Sequence, residues 1–256
     1  MPLFPYFRTR HLSLSVAVAL LLAGCQKELV PAASLSPTTD IPITTQLSAD
    51  PTAETTIMPY RTRVDQTMNE VIGQAPEAID RGIIESPLGN FVADLSRSQT
   101  MAVYGKPIDM GAMTNGGLRN PIDKGPITVG DVFEMMPFEN EMLVLTLSGA
   151  TVKEMFDFAA RTKILFVANA SYTLRNSQAE SISIGGKPFD INKTYTLAIS
   201  DYLANGGDSM GFLKNALKVE KIGLLARDAI MKEIKQRTAQ GQPVVAQKDG
   251  RVKVLN

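Results

Sequence analysis

Three short stretches carry side chains suited to an anion, a flat ring and a hydroxyl-rich group. In Asn115-Gly116-Gly117-Leu118-Arg119, which follows a strand-like run ending near Met113, the glycines let a ligand approach the backbone and Arg119 offers a planar fork for an anion. Taken alone, the same residues read first as a tight turn with a solvated arginine. Pro137-Phe138-Glu139-Asn140 sets a ring and an amide one residue apart near an element boundary, so Phe138 reads as a core residue or as a stacking platform. In Asp201-Tyr202-Leu203-Ala204-Asn205-Gly206-Gly207-Asp208, the Gly-Gly-Asp turn presents a carboxylate either to a ligand hydroxyl or to its own backbone. Glu85-Ser86-Pro87-Leu88-Gly89-Asn90 is a helix start or an anion site on a helix N-terminus.

What the sequence lacks is as informative. Its one histidine, His11, and its one cysteine, Cys25, both lie near the N-terminus. Zinc sites built from nitrogen and sulfur ligands, and Ser-His or Cys-His catalytic pairs, therefore have no ligands in the body of the chain. No Asp-rich calcium loop occurs, and no cofactor is expected in this chain. The 26 basic and 26 acidic residues balance, with no basic stripe of the kind that binds a nucleic acid polymer. The chain is poorly equipped to hydrolyse anything by itself.

The first residues read as an export signal: Arg8 and Arg10 form a basic start, and Leu12 to Leu22 is apolar but too short to span a bilayer. Leu22-Ala23-Gly24-Cys25 resembles the lipobox of bacterial lipoproteins, in which the cysteine is acylated. Residues 1–24 are thus expected to be a signal peptide and 25–56 a lipid-anchored flexible linker, rich in Pro, Thr, Ala and Ser. The expected location is the bacterial cell envelope, periplasmic or surface-facing, with the membrane reached through lipid on Cys25.

The elements that must position the three stretches lie in residues 57–256. Tyr60, Val64, Met68 and Val71 recur at helical spacing, and the folded domain is expected to start with that helix. Leu88, Phe91, Val92 and Leu95 mark a core-facing helix with Pro87 in its first turn, Val152, Met155, Phe156 and Ala159 a second, and Ala226, Ile230 and Ile234 a third. Met142 to Leu147, Ser181 to Ile184 and Tyr195, Leu197 and Ile199 read as strands, with Gly185-Gly186 as a turn. Interleaved helices and strands argue a single α/β or α+β domain.

In their order and spacing, Glu85 to Asn90, Asn115 to Arg119, Gly125 to Thr128, Pro137 to Asn140, Ser148-Gly149 and Tyr202 to Asp208 resemble the C-terminal domain of the 5'-nucleotidase family, which includes periplasmic UDP-sugar hydrolases. The resemblance implies a four-layer α/β/β/α domain that binds a nucleotide or nucleoside, its base held between Phe138 and Tyr202. Stacking on such a ring is worth about 1 to 3 kcal/mol per base. It further implies Asn140 at the base edge, Asp208 at ribose hydroxyls, Arg119 at phosphate and Asn115 within the same binding turn. Tyr202 stands where many members have Phe, Thr114 where they often have Asn, and Arg81 next to the slot of a second family arginine. Family members bear divalent metals on a metallophosphoesterase domain; here the resemblance implies that a separate metallophosphoesterase chain supplies those metals and the hydrolysis. A free-standing nucleotide-binding lipoprotein used in scavenging is the alternative.

Overall fold

A computed structural model describes residue 44 and residues 48–255. The expected signal peptide, His11, Cys25 and most of the linker lie outside the described residues. Contacts divide the chain into Met1–Pro51 and Thr52–Asn256. Of the first unit, residues 44 and 48–50 have no regular structure; the second unit is the folded domain.

From Pro51 onward the elements are α1 (Pro51–Met68), β1 (Val71–Ala75), α2 (Pro87–Tyr104), β2 (Met110–Thr114) and β3 (Gly125–Thr128). A short helix α3 (Val129–Met135) leads to β4 (Glu141–Ser148), α4 (Gly149–Thr162), β5 (Leu165–Ala168), β6 (Ala170–Arg175), β7 (Gln178–Ile184) and β8 (Lys187–Pro188). Strand β9 (Thr194–Ser200) runs into α5 (Asp201–Ala204), followed by β10 (Lys218–Leu225), α6 (Ala226–Ala239) and β11 (Val252–Leu255).

Local chemistry sets the helix ends. Ser86 caps α2, its hydroxyl accepting from Gly89 N at 3.0 Å, and Pro87 takes the first helical position, where a missing N–H is harmless. Gly105, at φ 72°, ends the helix in the left-handed region that glycine enters freely. Ser148 caps α4 and Ser200 caps α5 in the same manner as Ser86.

The strands form a five-stranded sheet in the order β10-β4-β9-β2-β5, a four-stranded sheet in the order β11-β6-β7-β8, and a β1-β3 pair. Alternation along the central strands sorts their side chains between two cores. Tyr195, Leu197 and Ile199 of β9 and Leu143, Leu145 and Leu147 of β4 join α4 and the smaller sheet, while Ala198, Met142 and Val144 face the opposite way, toward Met101 and Tyr104 of α2. Helices α2 and α6 share the remaining core with β1, β3 and α3. The mixed α/β class expected from the sequence is the class observed.

The first helix departs from expectation. It starts at Pro51, across the boundary expected at residue 57, and none of its residues is buried. Tyr60 and Val64 stand 70% and 52% exposed, and Val71 belongs to β1 rather than to the helix. Helical spacing is present, but of this stripe only Met68, at the end of the helix, packs against the core, and the domain supplies no surface to cover Tyr60 and Val64.

The segment after α6 returns across the domain. Val244 N donates to Gln74 O at 2.8 Å, and β11 pairs in parallel with β6. The buried Glu85 binds this segment: its Oε1 accepts from Asp249 N at 2.8 Å, Gly250 N at 3.0 Å and Asn90 Nδ2 at 3.0 Å. The Glu85 to Asn90 stretch is therefore a capped helix start whose carboxylate clamps the returning chain, and the anion-site alternative finds a carboxylate already in place.

Candidate functional site

Sheet topology brings the three candidate stretches to one edge. Strand β2 runs parallel to β9, so the turn after Thr114 and the helix after Ser200 leave the sheet side by side. Strand β4 is antiparallel to β9 with Met142 opposite Ser200, so the loop entering β4 arrives at that same edge. Arg119, Phe138, Asn140, Tyr202 and Asp208, with Gly116 and Gly117, line one cavity of 320 Å³. That volume lies at the lower end of the range, about 300 to 1,000 Å³, typical of small-molecule sites.

Each side chain is held by its own surroundings. The Arg119 guanidinium carbon lies 5.1 Å from the centroid of the Phe138 ring, within cation–π range. Phe138 is half-buried: it packs against the core shared by α2, α3 and α6 and also lines the cavity. The loop carrying it is fixed from below by Arg227, which is 6% exposed. The Arg227 guanidinium sits 4.0 Å from the Phe133 ring centroid and Nη1 donates to Phe138 O at 3.3 Å. Asn140 is tied through its carbonyl, which accepts from Ala226 N at 2.8 Å.

On the opposite wall, Thr114 Oγ1 donates to Asp208 Oδ2 at 2.6 Å and the Tyr202 hydroxyl donates to Asp208 Oδ1 at 3.0 Å. Two glycines make room for this arrangement. A Cβ on Gly116 would lie 3.1 Å from Asp208 Oδ2, and one on Gly207 would lie 2.4 Å from Tyr202 Cε1.

Asn115 is the one candidate residue that the structure leaves off the cavity wall. It opens the turn Asn115–Gly117, its carbonyl accepts from Arg81 Nη2 at 3.3 Å, and its Oδ1 is buried without a hydrogen-bond partner. Arg81 also donates to Arg119 O at 2.7 Å, so it braces the backbone that presents Arg119. Sequence reasoning overlooked Arg227, although a signal was there: it stands three residues before Ile230, on the apolar stripe of α6.

A larger cavity, of 620 Å³, lies between α2, α6 and the returning segment. Its charges are satisfied internally: Arg251 binds Asp94, Asp249 and Val167 O, and Arg237 binds Glu233. Burial works against the charge on Arg251, but bonds to Asp249 and Asp94 outweigh it and hold its pKa above the ordinary value; Arg251 in turn lowers that of Asp249. These groups anchor the segment rather than await a ligand. The smaller cavity, with a ring, an amide, a guanidinium and a carboxylate converging, has the chemistry of a binding site.

Residues 71–215 match the family described as 5'-nucleotidase, C-terminal domain. The chain is 28% identical over 235 residues to the trifunctional nucleotide phosphoesterase protein YfkN of Bacillus subtilis, covering 83% of this chain and 16% of that protein. It is 28% identical over 165 residues to a 5'-nucleotidase of Vibrio vulnificus, covering 59% of this chain and 28% of that one. Among solved structures, a 5'-nucleotidase precursor from Thermus thermophilus superposes with a TM-score of 0.68 at 26% identity, covering 80% of this chain and 43% of the other. The chain thus spans less than half the length of each of these relatives. On the family match and on this fold, the chain belongs to the 5'-nucleotidase C-terminal domain family.

Proposed function

We propose that this chain is the nucleotide- or nucleoside-binding, substrate-recognition component of a split 5'-nucleotidase, acting in nucleotide catabolism. One observation supports the reading above the others: Phe138 and Tyr202, from segments far apart in the chain, line a single cavity with Asn140, Asp208 and Arg119. A base enters between aromatic faces, which tolerate any base. The amide serves its edge, the carboxylate accepts from sugar hydroxyls, and the guanidinium meets phosphate in the planar two-pronged geometry that lysine lacks.

In this reading the divalent metals and the hydrolytic step belong to a separate metallophosphoesterase chain, which docks with the bound nucleotide's phosphate between the two proteins. Acylation of Cys25 anchors the recognition chain in the bacterial cell envelope. The test is isothermal titration with AMP, adenosine and UDP-glucose, followed by phosphate-release assays with the metallophosphoesterase chain added. Binding together with hydrolysis that appears only on mixing supports the split enzyme. Binding without any gain on mixing assigns the protein to scavenging, and no binding to any ligand refutes both.

A further inference from the structure

Two hydroxyl side chains from distant segments, Thr114 and Tyr202, converge on one carboxylate. Their hydroxyls donate to opposite oxygens of Asp208, Thr114 to Oδ2 at 2.6 Å and Tyr202 to Oδ1 at 3.0 Å. The Tyr202 oxygen in turn accepts from Asp208 N at 3.4 Å, a long bond that closes a small ring between the two residues. Asp208 sits at φ 50°, ψ 32°, and Ser209 follows at φ 67°. Both are left-handed conformations that residues with a Cβ adopt seldom, and surrounding contacts must hold them there. Thr114, 1% exposed at the end of β2, is a rigid support, whereas the Tyr202 ring is 51% exposed and lies against the cavity.

The proton count gives this arrangement a direction. A hydroxyl carries one proton, and both are spent on Asp208, so neither Thr114 nor Tyr202 retains a donor for a ligand. Each carboxylate oxygen has used one acceptor site and keeps another. The triad therefore offers the cavity acceptors only, in a pair spaced by one carboxyl group. The ligand feature that answers it is a pair of adjacent hydroxyls, each donating to one oxygen, and an anionic group is repelled.

We propose that Thr114 and Tyr202 are positioning residues that aim the Asp208 carboxylate at a vicinal diol, so that their two hydroxyls set the preference of this site for ribose over deoxygenated sugars. The proposal rests on the nucleotide-binding reading above. It also joins the two halves of the site: the ring that stacks on the base and the carboxylate that holds the sugar are fixed to each other through the Tyr202 hydroxyl.

The experiment is a cycle of variants against ligands, using the full chain. Wild type, Tyr202→Phe, Thr114→Val and Thr114→Ser are titrated with adenosine, 2',3'-dideoxyadenosine and adenine, and thermal unfolding of each is recorded. A hydrogen bond to a charged group supports roughly tenfold or more in binding, so wild type is expected to prefer adenosine over the dideoxy compound by about that factor. In Tyr202→Phe and Thr114→Val the preference falls to about twofold or less, with a larger loss for adenosine than for adenine, while Thr114→Ser retains it. The inference is overturned if wild type shows no diol preference, if the variants keep it in full, or if they lose adenine and adenosine equally. Wild type that binds none of the three ligands overturns the nucleotide reading and this inference with it.

Discussion

A single methyl group tests whether the Tyr202 ring belongs to the binding surface. In Gly207→Ala the new Cβ would stand 2.4 Å from Tyr202 Cε1 and 2.5 Å from Cζ. Carbon atoms settle at about 3.5 Å or more, so the ring has to swing by roughly 1 Å or further. Gly207 is not at positive φ, so the substitution adds a clash without adding backbone strain. The ring is half-exposed and its hydroxyl gives up one hydrogen bond, to Asp208 Oδ1, when it moves, which keeps the effect on stability small, about 1 kcal/mol. Its displacement removes one face of the clamp, worth about 1 to 3 kcal/mol, and affinity for AMP or adenosine should drop by roughly 5- to 150-fold. The control is Gly211→Ala, four residues on, where a Cβ meets nothing within 4 Å. Isothermal titration of wild type and both variants, with urea unfolding of each, is the assay. Unchanged affinity in Gly207→Ala, or an equal loss in Gly211→Ala, would refute the stacking role of Tyr202.

Further outcomes concern the scaffold and the anchor. Removing the Glu85 carboxylate in Glu85→Ala strands three donors and should lower the unfolding free energy by about 3 kcal/mol, with Glu85→Gln, which keeps an acceptor, closer to 1 kcal/mol; urea titration reads both. Burial pushes the Tyr172 hydroxyl up to about 12, with the Glu85 charge adding to the effect. Because the folded state holds this proton more tightly than the unfolded chain, the stabilisation is complete below about pH 10 and is lost as pH rises toward 12, by up to roughly 3 kcal/mol. Tyr172→Phe should remove that part of the alkaline loss and, since the hydroxyl is buried without a partner, should leave stability at pH 8 equal or higher. Cys25→Ala should move the protein from the membrane fraction to the soluble fraction and abolish incorporation of labelled palmitate; retention of either would refute lipidation at that residue.

Much of the architecture was legible where burial enforces a period. Leu88, Phe91, Val92 and Leu95, or Tyr195, Leu197 and Ile199, repeat at the spacing of their element because each set faces one core. Tyr60 and Val64 show the limit: spacing reports a shared face, not what covers it, and here nothing in the domain does. The site was legible as pieces, each with a bland alternative, and their union came from a family likeness. The register of β2, β4 and β9 explains why Arg119, Phe138, Asn140, Tyr202 and Asp208 meet, and sequence spacing does not express that register. The bond from Thr114 to Asp208, across 94 positions, has no local signature at all.

The clamp formed by Glu85 also bears on the order in which the domain assembles. Its partners Asp249 and Gly250 lie 164 and 165 positions further along the chain, and Val244 reaches back to Gln74 across a similar span. Contacts of such long range carry a closure entropy that local helices and hairpins do not, so they form late, after the central sheet has collapsed. A bond absent from the folding barrier adds its free energy to the unfolding barrier instead. The returning segment is on this account a latch: Glu85→Ala should speed unfolding while leaving the folding rate nearly as it was, and stopped-flow kinetics in urea would show which arm has moved.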